Sequence, residues 1–329
     1  MHSAVANPPG GTGWQERVCQ HVISAVNCTD TPVREQGSGA SGISSGESGP
    51  RAGKAMKLMT EKMAERPGNA LRIAIVGRKG GSAKSTTAYN LAGALAARGR
   101  RCLIVDLDSQ ASLTRALSDD AVAAEEGIGF RIAEPEHGLG DIIRPIGPAI
   151  DLVPGNRSIE AAATALAQNA TGPLRLRLLL REVVDCYEAI IIDTAPALGF
   201  TQDSALLAAD IAIVPARPGT QTDIDALDDI FKVRHELCQY GFAAAEIAAI
   251  LPSDYDATHS PDRAGLLYLE ETYGLLVAVP VPHSSLIKRA MNERRPIASS
   301  RPDSPAGQAF GALASRVNLG APVGMAGAR

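Results

Sequence analysis

Eleven consecutive residues, Gly77 to Thr87 (GRKGGSAKSTT), carry the densest chemistry in the chain. Glycines let backbone N–H groups turn inward around an anion, and a helix starting directly after them adds positive potential. Lys84 has the reach to meet the outer phosphates of a nucleotide, and Ser85 has the hydroxyl to ligate Mg2+. Two features break the ordinary pattern G-x-x-x-x-G-K-[ST]. Arg78 stands where the first glycine belongs, and Ala83 replaces the glycine before the lysine. A positive φ at position 83 would cost alanine roughly 1 kcal/mol. The expectation is a helical Ala83, which costs nothing and tightens the phosphate packing slightly. Carboxylates recur at the ends of apolar runs: Asp106 and Asp108 in VDLDSQ, and Asp193 in IIIDTAP. Taken alone, such carboxylates read as surface groups at strand ends. Lys288, Arg289, Arg294 and Arg295 place four cations within eight residues. A solvated helix face is the ordinary meaning of such a run, but here it stands out in a chain of net charge −4. Phosphate contacts made by these cations would be salt-sensitive and indifferent to sequence.

Groups like these need a scaffold that brings strand ends together. Short apolar runs at 71–76, 101–106, 150–154, 189–193, 210–215, 246–252 and 275–280 read as strands. Helical segments lie between them. One spans Lys84 to Arg98, with Leu91 and Leu95 on one face, and another spans Pro173 to Tyr187. The run AIIID is so apolar that it must be covered on both faces. This alternation predicts an α/β fold: a doubly wound, mostly parallel β-sheet flanked by helices. Residues 70–320 are assigned to that domain. Residues 1–69 read as a tail with a Gly/Ser-rich stretch at Gly37–Gly53, and Trp14–Val26 and Met56–Glu65 as two short helices. A disordered tail and an over-long start, with Met56 or Met59 beginning the protein, both remain open. Residues 321–329 read as a flexible end.

Composition narrows the classes. The 329 residues are 45% hydrophobic and only 4% aromatic, so the core must be built from Ala, Val, Ile and Leu. Any contact with nucleic acid must come from a local patch rather than from bulk charge. The five cysteines are scattered without metal-ligand spacing and read as reduced thiols. Neither a signal peptide nor an apolar run long enough for a bilayer is visible, so a cytoplasmic protein is expected.

The loop resembles the deviant Walker A sequence of the ParA/MinD family, K-G-G-x-G-K-[ST]-T, matching at Lys79, Gly80, Gly81, Lys84, Ser85 and Thr86. VDLDSQ is similar to the family's D-x-D-P-Q segment, with Ser109 in place of proline, and IIIDTAP to its D-x-x-P segment. The resemblance spans about residues 71–318. It implies an ATPase using ATP and Mg2+, with the nucleotide held by Lys79, Gly80, Gly81, Ser82, Ala83, Lys84, Ser85 and Thr86. It further implies that Lys79 reaches the phosphates of a second copy across a homodimer, as an arginine finger does. By the same likeness Asp108 orients the attacking water, Asp106 lies nearer Mg2+, and Asp193 holds Mg2+ through water, with Ser85 as a direct ligand. The partners implied are a second copy of the chain, non-specific double-stranded DNA held by Lys288, Arg289, Arg294 and Arg295, and a ParB-like activator. The outcome would be segregation of plasmid or chromosomal DNA. Two other readings stay open: an orphan positioning ATPase with a protein cargo, and a DNA-binding regulatory switch that does not hydrolyse.

Neighbouring classes fit less well. Nitrogenase iron proteins need a bridging cysteine pair, and no cysteine lies near a switch segment. The ending ASRVNLGAPVGMAGAR, broken by glycine and proline, does not make an amphipathic membrane helix. The tyrosine cluster of bacterial tyrosine kinases is missing.

Overall fold

The computed structural model describes residues 70–317 apart from 168, 170, 197 and 198. The helices expected at Trp14–Val26 and Met56–Glu65, and the C-terminal end, lie outside the described residues. Seven strands form one sheet: β1 Leu71–Ile75, β2 Cys102–Leu107, β3 Arg144–Gly147, β4 Ile150–Val153, β5 Ala189–Thr194, β6 Ile211–Ala216 and β7 Glu246–Pro252. Their spatial order is β3-β4-β2-β5-β1-β6-β7, and every pairing is parallel except β3 with β4. The helices are α1 Lys84–Ala96, α2 Ser112–Leu117, α3 Ile128–Ala133, α4 Ser158–Leu166, α5 Arg175–Leu180, α6 Phe200–Ala208, α7 Gln221–Gln239, α8 Ser260–Tyr273, α9 Ser285–Asn292, α10 Ile297–Ser300 and α11 Pro305–Arg316. This is the doubly wound, mostly parallel sheet flanked by helices that the sequence predicts.

Alternate residues of each central strand serve opposite faces. Ile73, Ile75, Ile104 and Ile191 pack with Tyr89, Leu91 and Leu95 of α1 and with Phe310 and Leu313 of α11. Ala74, Val105, Ile190 and Ile192 face the other way, toward Ile132, Leu176, Leu206 and Ile230. Each buried isoleucine contributes about 2 kcal/mol relative to exposure. Such strands cannot shift register without turning polar ends into the core.

The register fixes the site. Ile75 lies opposite Asp193, and Asp193 lies opposite Asp106. In parallel strands, directly opposed residues point to the same face. Both carboxylates therefore end their strands side by side at the C-terminal edge, below the loop that leaves β1. That edge is where open α/β sheets bind ligands.

Two local expectations need correction, and one strand is new. Residues 275–280 are not a strand. A 3-10 turn at Gly274–Leu276 leads into a segment that makes only isolated bridges, Val277 with Ile250 of β7 and Pro282 with Tyr255 in the loop after it. Pro280 and Pro282 lack the N–H that a ladder needs. The helix expected over Pro173–Tyr187 shrinks to a 3-10 turn and α5. Beyond Leu180 the chain proceeds by i→i+3 turns, and the carbonyl of Val184 accepts from Ala70 N at 3.0 Å, where the chain enters β1. The antiparallel edge strand β3 was not anticipated, because Pro145 within a four-residue run reads as loop; edge strands tolerate it.

Candidate functional site

The loop Gly77–Ala83 closes around the ammonium of Lys84. Lys84, the first residue of α1, is buried at 6% exposure, and its Nζ donates to the carbonyl oxygen of Lys79 at 2.9 Å. Burial pushes its ammonium pKa down, and the charges of Asp193, Asp108 and Asp223 oppose that shift. Ser82 Oγ donates to the same Lys79 carbonyl at 3.1 Å. Gly81 takes φ 77°, which glycine adopts freely. Ala83 also lies in the left-handed region, at φ 68° and ψ 23°. The helical Ala83 expected from sequence is therefore wrong: alanine occupies the N-cap conformation that a glycine would fill without strain.

The two lysines have different partners. Lys79 turns away from the loop interior onto the start of α7, where Nζ donates to Thr222 Oγ1 at 2.7 Å and to Asp223 Oδ2 at 3.0 Å. The Asp223 side chain is 2% exposed, while that of Lys79 is 38% exposed. Arg78, at the position of the missing glycine, pairs with Asp229 farther along α7. Neither α7 partner carried a role in the sequence reading. Two acidic residues six apart on one helix gave no spacing signal of their own.

The two strand-end carboxylates also differ. Asp106 is fully buried with both oxygens occupied. Oδ2 accepts from Thr114 N at 2.8 Å and from Thr114 Oγ1 at 2.6 Å, and Oδ1 accepts from Asp108 N at 3.2 Å. Burial raises its pKa to about 6 in spite of these bonds. Asp193 is equally buried, yet neither oxygen has a hydrogen-bond partner. Burial and the charge of Asp106 push its pKa well up. The Ser85 hydroxyl and Lys84 favour the ionised form without completing a hydrogen bond to it. Of the two carboxylates, Asp193 has the open lone pairs. A buried, unpartnered carboxylate beside a serine hydroxyl suits a hydrated divalent cation, which takes one or two protein oxygens and fills the rest with water and phosphate. Among the described residues no three His, Cys, Asp or Glu side chains cluster as a full ligand set.

Asp108 lies at the surface of this site, with Oδ1 accepting from Gln110 N at 2.9 Å. The next turn carries Ala111 at φ 49° and leads directly into α2. Gly155, after β4, is required by close approach: a Cβ there would lie 2.6 Å from the Asp106 carbonyl oxygen. Its N–H donates to Thr114 Oγ1 at 2.9 Å, so the threonine both donates to Asp106 and accepts from this loop.

The basic cluster is not uniform. Lys288 and Arg295 are exposed. Arg289 is exposed and pairs with Glu293 at 2.5 Å. Arg294 is held at φ 51°, with Nε donating to the Ala116 carbonyl at 3.1 Å and its guanidinium paired with Asp119. No described helix is long and apolar enough to cross a membrane.

Comparison with known proteins agrees with this architecture. The model of an AAA domain matches residues 70–237. The chain is 33% identical to the sporulation initiation inhibitor protein Soj of Bacillus subtilis over 146 residues, covering 44% of this chain and 57% of Soj. It thus spans little more than half of that relative's length. The apo structure of Cyanothece McdA superposes with a TM-score of 0.69 at 19% identity, over 76% of this chain and 100% of that one. The septum site-determining protein MinD from Pyrococcus horikoshii, solved with Mg-ADP, gives 0.61 at 25% identity, over 76% and 96%. A strand-end site with a closed phosphate-type loop and two opposed carboxylates, on this sheet order and beside these relatives, settles the family: the chain belongs to the ParA/MinD family of P-loop ATPases.

Proposed function

We propose that this chain is an ATP-driven dimerisation switch that binds double-stranded DNA without sequence preference and hydrolyses ATP to segregate it. The supporting observation is the division of labour between the two loop lysines. Lys84 lies buried in the loop, aimed inward, while Lys79 is half-exposed and stored on α7 by Thr222 and Asp223. In this reading phosphate replaces the Lys79 carbonyl as the partner of Lys84. Lys79 then leaves Asp223 and meets the phosphates of a second copy, adding charge only when two subunits close. The backbone amides of Gly80 to Lys84 would cradle the phosphates, and Ser85 and Asp193 would hold Mg2+. Asp106, whose oxygens are occupied by Thr114 and Asp108, acts by fixing the strand end. Mg2+ would neutralise charge shared by the β- and γ-phosphates. Asp108 orients the attacking water. A ParB-like partner stimulates turnover and so releases DNA.

The DNA surface in this proposal consists of Lys288, Arg289 and Arg295, doubled in the dimer, with Arg294 chiefly a structural tie. The test is Asp108→Ala, which should bind ATP at the parental level, turn over negligibly, and remain as a DNA-bound dimer. Turnover at the parental rate contradicts the role of Asp108. Parental protein that binds DNA with ATP but never hydrolyses favours the regulatory switch. Turnover that ignores DNA altogether favours a protein cargo.

A further inference from the structure

The basic helix α9 is anchored at both ends, and each anchor leads back to a different part of the nucleotide site. At its start, Ser284 caps the helix by accepting from Leu286 N at 3.2 Å. The preceding residue, His283, is paired through Nδ1 with Asp254 Oδ1 at 2.7 Å. The other oxygen of Asp254 faces Arg217 Nε at 3.8 Å. Arg217, just past β6, donates from Nη2 to the Gly81 carbonyl in the phosphate loop. Because a trans peptide sets its C=O and N–H on opposite sides, an arginine on the Gly81 oxygen aims the Ser82 N–H the other way. At the far end of α9, Arg294 clasps the Ala116 carbonyl and Asp119 at the end of α2. The same short helix holds Asp106 through Thr114 N and Oγ1.

The structure assigns to Arg217–Asp254–His283 and to Arg294–Asp119 the role of paired positioning tethers, which set the placement of α9 according to what occupies the phosphate loop and the Asp106 strand end. The proposal rests on the nucleotide and DNA reading above and deepens it. Two features give the tethers something to sense. Arg217 Nε is buried without a hydrogen-bond acceptor, so its guanidinium is incompletely satisfied where it stands. Lys84 is bonded to a carbonyl of its own loop, so an incoming phosphate competes with that bond and shifts the peptides that Arg217 reads. Asp254 sits at φ 59°, a conformation aspartate and asparagine tolerate better than other side chains. A loosened tether frees one end of α9, and loosening both frees the helix from the site. A coupling of this kind is shown by a two-state response lost on cutting the link, not by the chain of contacts alone.

The experiment removes the anions and keeps every cation of the basic surface. Asp254→Asn and Asp119→Asn, singly and together, retain side-chain shape, and both positions are exposed enough for the fold to survive. Amide hydrogen exchange of residues 283–297 is measured with and without Mg-ATP, beside ATP affinity by calorimetry and duplex binding with and without ATP. The expected result is a nucleotide-dependent change of exchange in the parent, roughly halved in each single variant and absent in the double. ATP affinity should stay within about threefold, and the gain in DNA affinity on adding ATP should shrink to the part that dimerisation alone supplies. A double variant that keeps the parental exchange response overturns the tethers, as does a parent without any response. The exchange measurement needs no DNA, so a parent that responds to ATP but binds no duplex defeats the DNA reading alone, and the double variant still decides for or against the tethers.

Discussion

Replacing Ala83 with glycine should stabilise the protein, the opposite of glycine's usual effect near a helix. Ala83 caps α1 at φ 68° and ψ 23°, and its carbonyl accepts the first helical bond from Thr87 N at 2.8 Å. An L-residue in that region costs about 1–2 kcal/mol. Glycine removes that cost but loses about 0.4–1 kcal/mol through the greater freedom of the unfolded chain. The difference is a net gain of about 0.5–1 kcal/mol. For a domain of this size that corresponds to a rise in Tm of about 1–4 °C. The assay is urea unfolding, where the midpoint should rise with an unchanged slope. Ala161→Gly, at an exposed position inside α4, is the control and should lose about 1 kcal/mol. If Ala83→Gly is destabilised as much as the control, position 83 is not left-handed and the reasoning fails.

Two further outcomes follow from the site and the basic surface. Asp106 has its pKa raised to about 6 in the folded protein against 3.8 unfolded, so its carboxyl binds a proton more tightly when folded. Its contribution to stability is therefore complete below about pH 4 and is lost as pH rises through about 6. Denaturant titrations of the nucleotide-free protein from pH 4 to 7 should show that loss, reduced in Asp106→Asn; identical pH profiles would refute it. Replacing Lys288 and Arg289 with alanine should weaken binding to all duplex sequences alike. With two cations removed from each subunit, the dimer neutralises four fewer phosphates, and the slope of log affinity against log salt should flatten by about 3.6. An unchanged slope removes these residues from the DNA surface.

The parts of this site that repeat along the chain were legible before the fold. Strand β5 declares itself by Ile190–Ile192, and the position of Asp193 at its end follows from that run alone. The loop was readable because glycines and lysines at close spacing have few other uses. Long-range partnerships were not readable. Asp223 meets Lys79 across 144 residues, and Arg294 meets the Ala116 carbonyl across 178. The left-handed Ala83 escaped because alanine, the strongest helix former, directly precedes a helix and so reads as part of its first turn. The segment at 275–280 misled because LLVAVP is a continuous apolar run of the kind a buried strand shows, while Pro280, and Pro282 just beyond it, withhold the ladder's donors. Arg294 read as one more cation in a run, and only its contact with Asp119 separates it from Lys288.

The central claim is that Lys84 and the loop around it bind the phosphates of ATP. Isothermal titration calorimetry of Mg-ATP into the parent and into Lys84→Ala tests it most directly, with circular dichroism confirming that both are folded. The account predicts saturable binding by the parent and none measurable by a folded Lys84→Ala. Equal ATP affinity in the two proteins would contradict it.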